Sequence, residues 1–448
     1  MHTLSSLRAG ELAGSKRLDL SCGLTEFPPE IFALADSLEI LNLSGNALSS
    51  LPDDLWRLTR LRVIFCSENQ FTSLPAVLGR CTQLTMIGFK SNQISTVPAA
   101  ALPPKLRWLI LTDNQISLLP PQLGACSALQ KLMLAGNRLQ QLPPEMAACT
   151  QLELVRISAN QFTQLPHWLL ALPKLAWLAY GGNPYSDHDE LAAVVKPALT
   201  DISWHRLQLE EKLGEGASGL IYQATLDTSE AVAVKLFKGA LSSDGLSRSE
   251  KAAYIAAGLH PQLIPLRGQI SDHPQHISAL VMQLIKPSFI NLAEPPSLES
   301  CTRDCYAPQQ GFNLQTTLAI AIAIANVAEH LHARGLMHGD LYAHNILWNQ
   351  HRDCLLADFG AATFLPQHDA VVSAALQRIE VRAFACLLHE LLQRTEPQPG
   401  AANDVLAALQ TLHSRCAQPA VGTRPLFSEI STRLIALNIT MRPLAATI

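Results

Sequence analysis

The chain has 448 residues, with 33 Lys and Arg against 37 Asp and Glu, for a formal net charge of −4. That near balance gives no electrostatic case for nucleic acid or an anionic membrane surface, and the length sets two domains as the natural expectation. No secretory signal opens the chain and its longest apolar run, Leu318 to Ala325, is far short of the ~20 residues that span a bilayer, so the expectation is a soluble, reduced, cytoplasmic protein.

The front half repeats. Asn46, Asn69, Asn92, Asn114, Asn137, Asn160 and Asn183 recur every 23 residues, with one step of 22. An aliphatic residue stands five positions before each, from Leu41 and Ile64 to Val155 and Leu178. A proline stands six after, from Pro52 to Pro166. This resembles the leucine-rich-repeat pattern, in which each unit adds a short strand and a convex turn and buries its apolar face only by stacking. Leu18-Asp19-Leu20 through Phe27-Pro28 is a degenerate first repeat suited to capping. The asparagines would form a ladder, their amides satisfying backbone groups that stacking buries. Cys81, Cys126 and Cys149 each fall 12 residues past a ladder asparagine. One slot used three times implies a small buried thiol, not a bridge or a ligand.

Strand alternation also implies a concave face. Phe65, Trp108, Ile110, Met133 and Trp177 lie on it, with Val63, Met86 and Leu154. A contiguous apolar stripe of this kind fits a protein partner, unless another part of the chain or a second copy covers it. The repeats are expected over 1–183, a linker over 184–203, and a second domain over 204–448.

The second domain carries five motifs in order. Gly214, Gly216 and Gly219 sit in LQLEEKLGEGASGLIYQATL, which reads as strand, turn and returning strand. Lys235 ends the apolar strand pattern AVAV, where an ammonium is costly to bury without a partner, and Glu250 follows 15 residues later in a helical segment. A strong amphipathic helix, roughly Leu314 to Arg334 and closed by Gly335, precedes His338-Gly339-Asp340-Leu341, with Asn345 beyond it. Asp358-Phe359-Gly360 follows the short apolar strand from Cys354.

Together these resemble the protein-kinase signature set. The resemblance implies a two-domain chain of α/β and α+β class: a leucine-rich-repeat solenoid followed by a bilobal protein-kinase-like domain. It implies ATP held by Leu213, Gly214, Glu215, Gly216, Ala217, Ser218, Gly219, Ile221, Ala233, Lys235, Met282, Gln283 and Leu347. Glu250 would aim Lys235 at the α- and β-phosphates, Asp340 would accept the proton of the attacking hydroxyl, and Asn345 and Asp358 would hold Mg²⁺. Glu380 matches the acidic position of the long central helix, and Arg424 the late arginine of the C-terminal lobe. The plain Leu-Pro repeats joined to a compact kinase lobe look bacterial.

Four departures bear on mechanism. Gly339 replaces the arginine usual before the catalytic aspartate, so no cation waits there for a phosphate on Thr363 or Ser373. Tyr342 replaces the basic residue that normally touches the γ-phosphate. No Ala-Pro-Glu motif follows Asp358, and Glu380 is only about 20 residues beyond it, which leaves short the segment that normally builds the peptide platform. Pro287 to Phe312, with Cys301 and Cys305, looks like an inserted loop. The expectation is a serine/threonine protein kinase recruited by its repeats. The alternatives are a small-molecule kinase of the same superfamily and a non-catalytic pseudokinase scaffold.

Overall fold

The computed structural model describes residues 2–187, 190, 199–216, 218–239, 241–396 and 401–441. It divides into two compact units: Met1–Leu175 with Asn183–Tyr185, and Ala176–Gly182 with Ser186–Ile448. Ala176–Gly182, which by spacing belongs to the last repeat, thus groups with the second unit. The end of the expected linker is not free chain either, because Ile202 is buried and its N–H donates to Gln269 O at 2.8 Å.

The first unit opens with a short helix, α1 (Leu4–Arg8), and stacks three-residue strands at the repeat spacing: β1 (Arg17–Asp19), β2 (Ile40–Asn42), β3 (Val63–Phe65), β4 (Met86–Gly88), β5 (Trp108–Ile110), β6 (Lys131–Met133) and β7 (Leu154–Arg156). Neighbours pair in parallel and in register, so Leu41, Ile64, Ile87, Leu109, Leu132 and Val155 form one buried row. Helix α2 (His167–Leu170) takes the convex position that 3₁₀ turns hold elsewhere.

The asparagine ladder is complete. Asn137 Oδ1 accepts from Ile116 N at 3.0 Å, while its Nδ2 donates to Leu111 O at 2.9 Å and Leu134 O at 3.0 Å. Asn69, Asn92, Asn114 and Asn160 repeat the pattern, each stapling the repeat before it. The residue before each ladder asparagine is left-handed: Gly45, Glu68, Ser91, Asp113, Gly136, Ala159 and Gly182 have φ between +53° and +72°. Only three of the seven are glycine, so the other four repeats accept backbone strain of order 1–2 kcal/mol per residue to keep the turn.

The exposed apolar stripe is narrower than the alternation implied. Phe65, Trp108, Ile110 and Met133 are half-buried, while Val63, Met86, Leu154 and Trp177 are buried. Strands lie only ~4.8 Å apart, so large side chains cover their neighbours. Lys131 Nζ sits 4.3 Å from the centre of the Trp108 ring, and Trp108 Nε1 lies 3.4 Å from Met133 Sδ. Phe65 lies where a side chain on Gly88 would stand.

In the second unit β8 (Trp177–Ala179) precedes an antiparallel five-stranded sheet. Its strands are β9 (Leu207–Glu215), β10 (Gly219–Leu226), β11 (Glu230–Phe237), β12 (Leu266–Ile270) and β13 (Ala279–Gln283), in the order β12-β13-β11-β10-β9. Val232 and Val234 point into its core with Ile270, Ala279 and Val281. The period of two therefore sends Ala233 and Lys235 to the other face. Helix α3 (Ser247–Ala257) follows β11.

Beyond β13 come β14 (Ile290–Asn291), α4 (Leu314–Ala333), β15 (Leu336–Met337), β16 (Ile346–Trp348), β17 (Cys354–Leu356), β18 (Thr363–Phe364), α5 (Ala370–Gln393), α6 (Ala401–Cys416) and α7 (Phe427–Met441). Asn313 caps α4 by accepting from Thr316 N at 2.8 Å. Asp369 caps α5 through Val371 N and Val372 N. The ribbons β15–β18 and β14–β16–β17 hold the loops that carry Asp340, Asn345 and Asp358.

Candidate functional site

A cleft of about 700 Å³ opens on the face of the sheet to which Lys235 points. Leu213, Gly214, Glu215, Gly216, Ser218, Gly219, Ile221, Ala233, Met282, Gln283 and Leu347 line it, with Lys235, Asn345 and Asp358. Ala217 lies outside the described residues. β10 and β11 set this lining by register, with Ile221 opposite Lys235.

Lys235 and Glu250 form an ion pair, with residue exposures of 5% and 1%. Burial alone would push the Lys235 ammonium down, but Tyr254, Glu250 and Asp358 outweigh it and hold it above its ordinary value. Burial pushes the Glu250 carboxyl up, and Lys235 pulls it back. The pair thus keeps a charged ammonium beside the cleft. Glu215 belongs to a different, exposed pair of contacts, with Lys212 and Lys238, whose hydrogen bonds hold its carboxyl down to about 2.

The loop after β15 is braced from within. His338 Nε2 lies 3.0 Å from Ala357 O, and Asp340 N donates to His338 Nδ1 at 3.3 Å. Asn345 Nδ2 donates to Asp340 O at 2.9 Å and to Asp340 Oδ2 at 2.8 Å. With that N–H₂ turned to Asp340, the Asn345 carbonyl oxygen is the atom left for a cation. An amide oxygen and the Asp358 carboxylate are the hard oxygen donors Mg²⁺ prefers, so the donor set fits that ion. Asp358 holds φ +58°, with Gly360 N donating to its Oδ1 at 3.0 Å, and Phe359 packs against Tyr254 and His338. Asp340 is not among the cleft-lining residues; Asn345 ties it to them.

Gly339 has a structural reason. Its φ is +72°, and a Cβ there would meet Ala361 O at 2.4 Å and Leu178 O at 2.9 Å, so arginine does not fit. Its N–H donates to Glu380 Oε1 at 2.7 Å, while Glu380 Oε2 lies 2.7 Å from His332 Nε2. The segment after Asp358 is shorter than the spacing to Glu380 implied, because α5 begins ten residues before Glu380. Thr363 is buried within it, and its hydroxyl donates to Ala361 O at 3.1 Å. Arg424, also buried, donates to Gln418 O and Arg378 O.

Two side chains fall away from their expected places. Tyr342 does not line the cleft, and Trp177 is not on an open binding face. Trp177 is 1% exposed and stacks on Tyr342 at 4.1 Å with the planes 6° apart; its Nε1–H donates to Leu341 O at 3.1 Å. β8 is packed inside the second unit, which no repeat spacing could reveal. Tyr254, Lys286, Phe289 and His344 also line the cleft and escaped the motif reading. Tyr254, four residues after Glu250, was accessible through helical spacing.

Residues 207–398 match the family model for protein tyrosine and serine/threonine kinase, and residues 37–58 match that for leucine-rich repeat. The chain therefore carries a leucine-rich-repeat region followed by a protein kinase domain. It is 30% identical to a nodulation receptor kinase of Pisum sativum over 41% of this chain and 19% of that protein. It is 28% identical to an LRR receptor-like serine/threonine-protein kinase of Arabidopsis thaliana, over 38% of this chain and 14% of the relative. A probable inactive receptor kinase of the same plant is 30% identical over 34% of this chain and 22% of its own length. The matches thus span less than a quarter of these relatives.

The expectation of a cytoplasmic protein without a membrane-length segment does not stand. These relatives are named receptor kinases, and α4, with 20 residues and an 18-residue window of mean hydropathy 1.3, is long and apolar enough to cross a bilayer by length and composition. Of its apolar window, 67% is buried in the fold. The unbroken run looked short because Asn326, Glu329, His330 and His332 interrupt it, whereas over the whole helix Ala, Ile and Leu dominate.

Proposed function

We propose that this chain, whose leucine-rich repeats precede a protein kinase domain, transfers the ATP γ-phosphoryl group to serine or threonine hydroxyls of proteins. The observation that carries this reading is the convergence of a buried Lys235–Glu250 pair, Asn345 and Asp358 on one cleft, with Asp340 hydrogen-bonded to Asn345. The acceptor oxygen forms the new bond to the γ-phosphorus, the bond to the β,γ-bridging oxygen breaks, and ADP leaves. Asp340 orients the hydroxyl and takes its proton, while the Lys235 ammonium, fixed by Glu250, holds the α- and β-phosphates. Mg²⁺ held by Asn345 and Asp358 would offset the charge that builds on the phosphates. The half-buried Phe65, Trp108, Ile110 and Met133 support recruitment of a protein partner by the repeats.

A second reading is nucleotide binding without transfer. Tyr342 stacked on Trp177 favours it, as does the relative named inactive. Labelled ATP and Mg²⁺, with and without a cell lysate, followed by phosphosite mapping, separates the two. Transfer to protein serine or threonine is expected, and Asp340→Asn should slow it about 10²–10⁴-fold while nucleotide affinity is kept. Wild-type chain that binds ATP and transfers nothing sinks the catalytic reading. Phosphorylation of a metabolite in the absence of a protein acceptor moves it to small-molecule kinases.

A further inference from the structure

We infer that Asp304 is a positioning residue for the catalytic loop, acting through His344 on Asn345 and Asp340. This role rests on the proposed function. Asp304 lies in the loop between β14 and α4, with its side chain fully buried. A buried carboxylate needs donors, and two of its contacts come from one residue. His344 N donates to Oδ2 at 3.1 Å and His344 Nδ1–H donates to Oδ1 at 2.7 Å. The next residue is Asn345, whose amide clamps Asp340.

The neighbouring Arg303 touches a ring that packs on the same loop. Its guanidinium lies 5.4 Å from the centre of the Trp177 ring, Trp177 stacks on Tyr342, and the Tyr342 and His344 rings are 5.0 Å apart. Two adjacent residues of the insert thus connect to the loop, Asp304 directly through His344 and Arg303 through the Trp177 ring stacked on Tyr342. The insert is closed on itself by the Glu294–Cys305 backbone pair at 2.8 and 2.9 Å and anchored to α5 by Tyr306 Oη, which donates to Glu390 Oε2 at 3.2 Å. Gly339 removes the cation that its position would offer to a phosphate. The insert supplies a permanent brace in the place of a switchable one.

The test uses the full chain. Asp304→Asn keeps the shape but offers one acceptor oxygen to two donors. Its kcat should fall at least tenfold with the ATP KM within about threefold, and hydrogen exchange across 338–346 should speed up while the buried part of α4 stays protected. His344→Ala should lose kcat similarly. His344→Asn, whose amide nitrogen stands where Nδ1 does, should turn over at least fivefold faster than His344→Ala; this pair carries the test should Asp304→Asn not fold. Wild-type rate in Asp304→Asn, equal rates in the two His344 variants, or parallel loss of kcat and ATP binding overturns the positioning role. A wild-type chain that transfers no phosphate overturns the proposed function and this role with it.

Discussion

Replacing Lys235 by methionine tests the charge pair beside the cleft. Methionine fits the apolar strand, but the variant strands the Glu250 carboxylate at 1% exposure. Breaking a buried pair by removing one partner costs about 3–5 kcal/mol. Protonation gives Glu250 an escape: from an ordinary value of 4.5, neutralising it at pH 7 costs ~3.4 kcal/mol, which caps the electrostatic loss. The two routes agree on roughly 3–4 kcal/mol at pH 7. The sign follows from linkage. A carboxyl raised in the folded state contributes stability below its unfolded value and loses it as pH rises through the folded one, so the variant's deficit should shrink toward ~1 kcal/mol by pH 5. Lys235→Met with Glu250→Gln should recover most of the loss at every pH. Hydrogen exchange of the β10 and β11 amides measures it locally, which avoids assuming that two compact units unfold together. A single variant costing under ~1 kcal/mol at pH 7, or a double variant no better than the single, would refute the reasoning.

Three further outcomes are expected. Asn137→Ala orphans the buried Ile116 N–H and removes two donated bonds, so exchange in the adjacent repeats should report about 2–4 kcal/mol lost; a loss under ~1 would deny the ladder its energetic role. Phosphatase treatment, or Thr363→Ala with Ser373→Ala, should leave any kinase rate unchanged within about twofold, because Thr363 is buried and Gly339 offers no cation; a tenfold fall would show that another basic residue reads a phosphate. Burial, together with His389 and Arg382, lowers His413 to about 4, so its contribution is present above ~6.5 and lost as pH falls toward 4. Buried Glu390, raised to about 7, acts in the opposite sense, so the check is the difference between wild-type and His413→Gln stability, which should narrow by roughly 1–2 kcal/mol from pH 7 to pH 4 once solvent screening of the half-buried ring is allowed for.

The repeat array was legible because its constraints are local and periodic. An aliphatic residue five before each asparagine and a proline six after all but the last specify strand, ladder and turn with no distant partner. The lysine at the end of β11 and the Asp340–Asn345 spacing likewise carried their chemistry in residue type and interval. The left-handed turns escaped notice, because Glu68, Ser91, Asp113 and Ala159 sit where glycine would have announced the conformation. Gly339 was visible as a missing arginine, but its cause was not: two carbonyls, from Leu178 and Ala361, leave no room for a Cβ. The placement of Trp177 against Tyr342 and of Asp304 against His344 was decided only in the tertiary structure. Stacking and paired hydrogen bonds depend on Ångström-scale approach between segments 40 to 165 residues apart, and no spacing along the chain encodes which segments will meet.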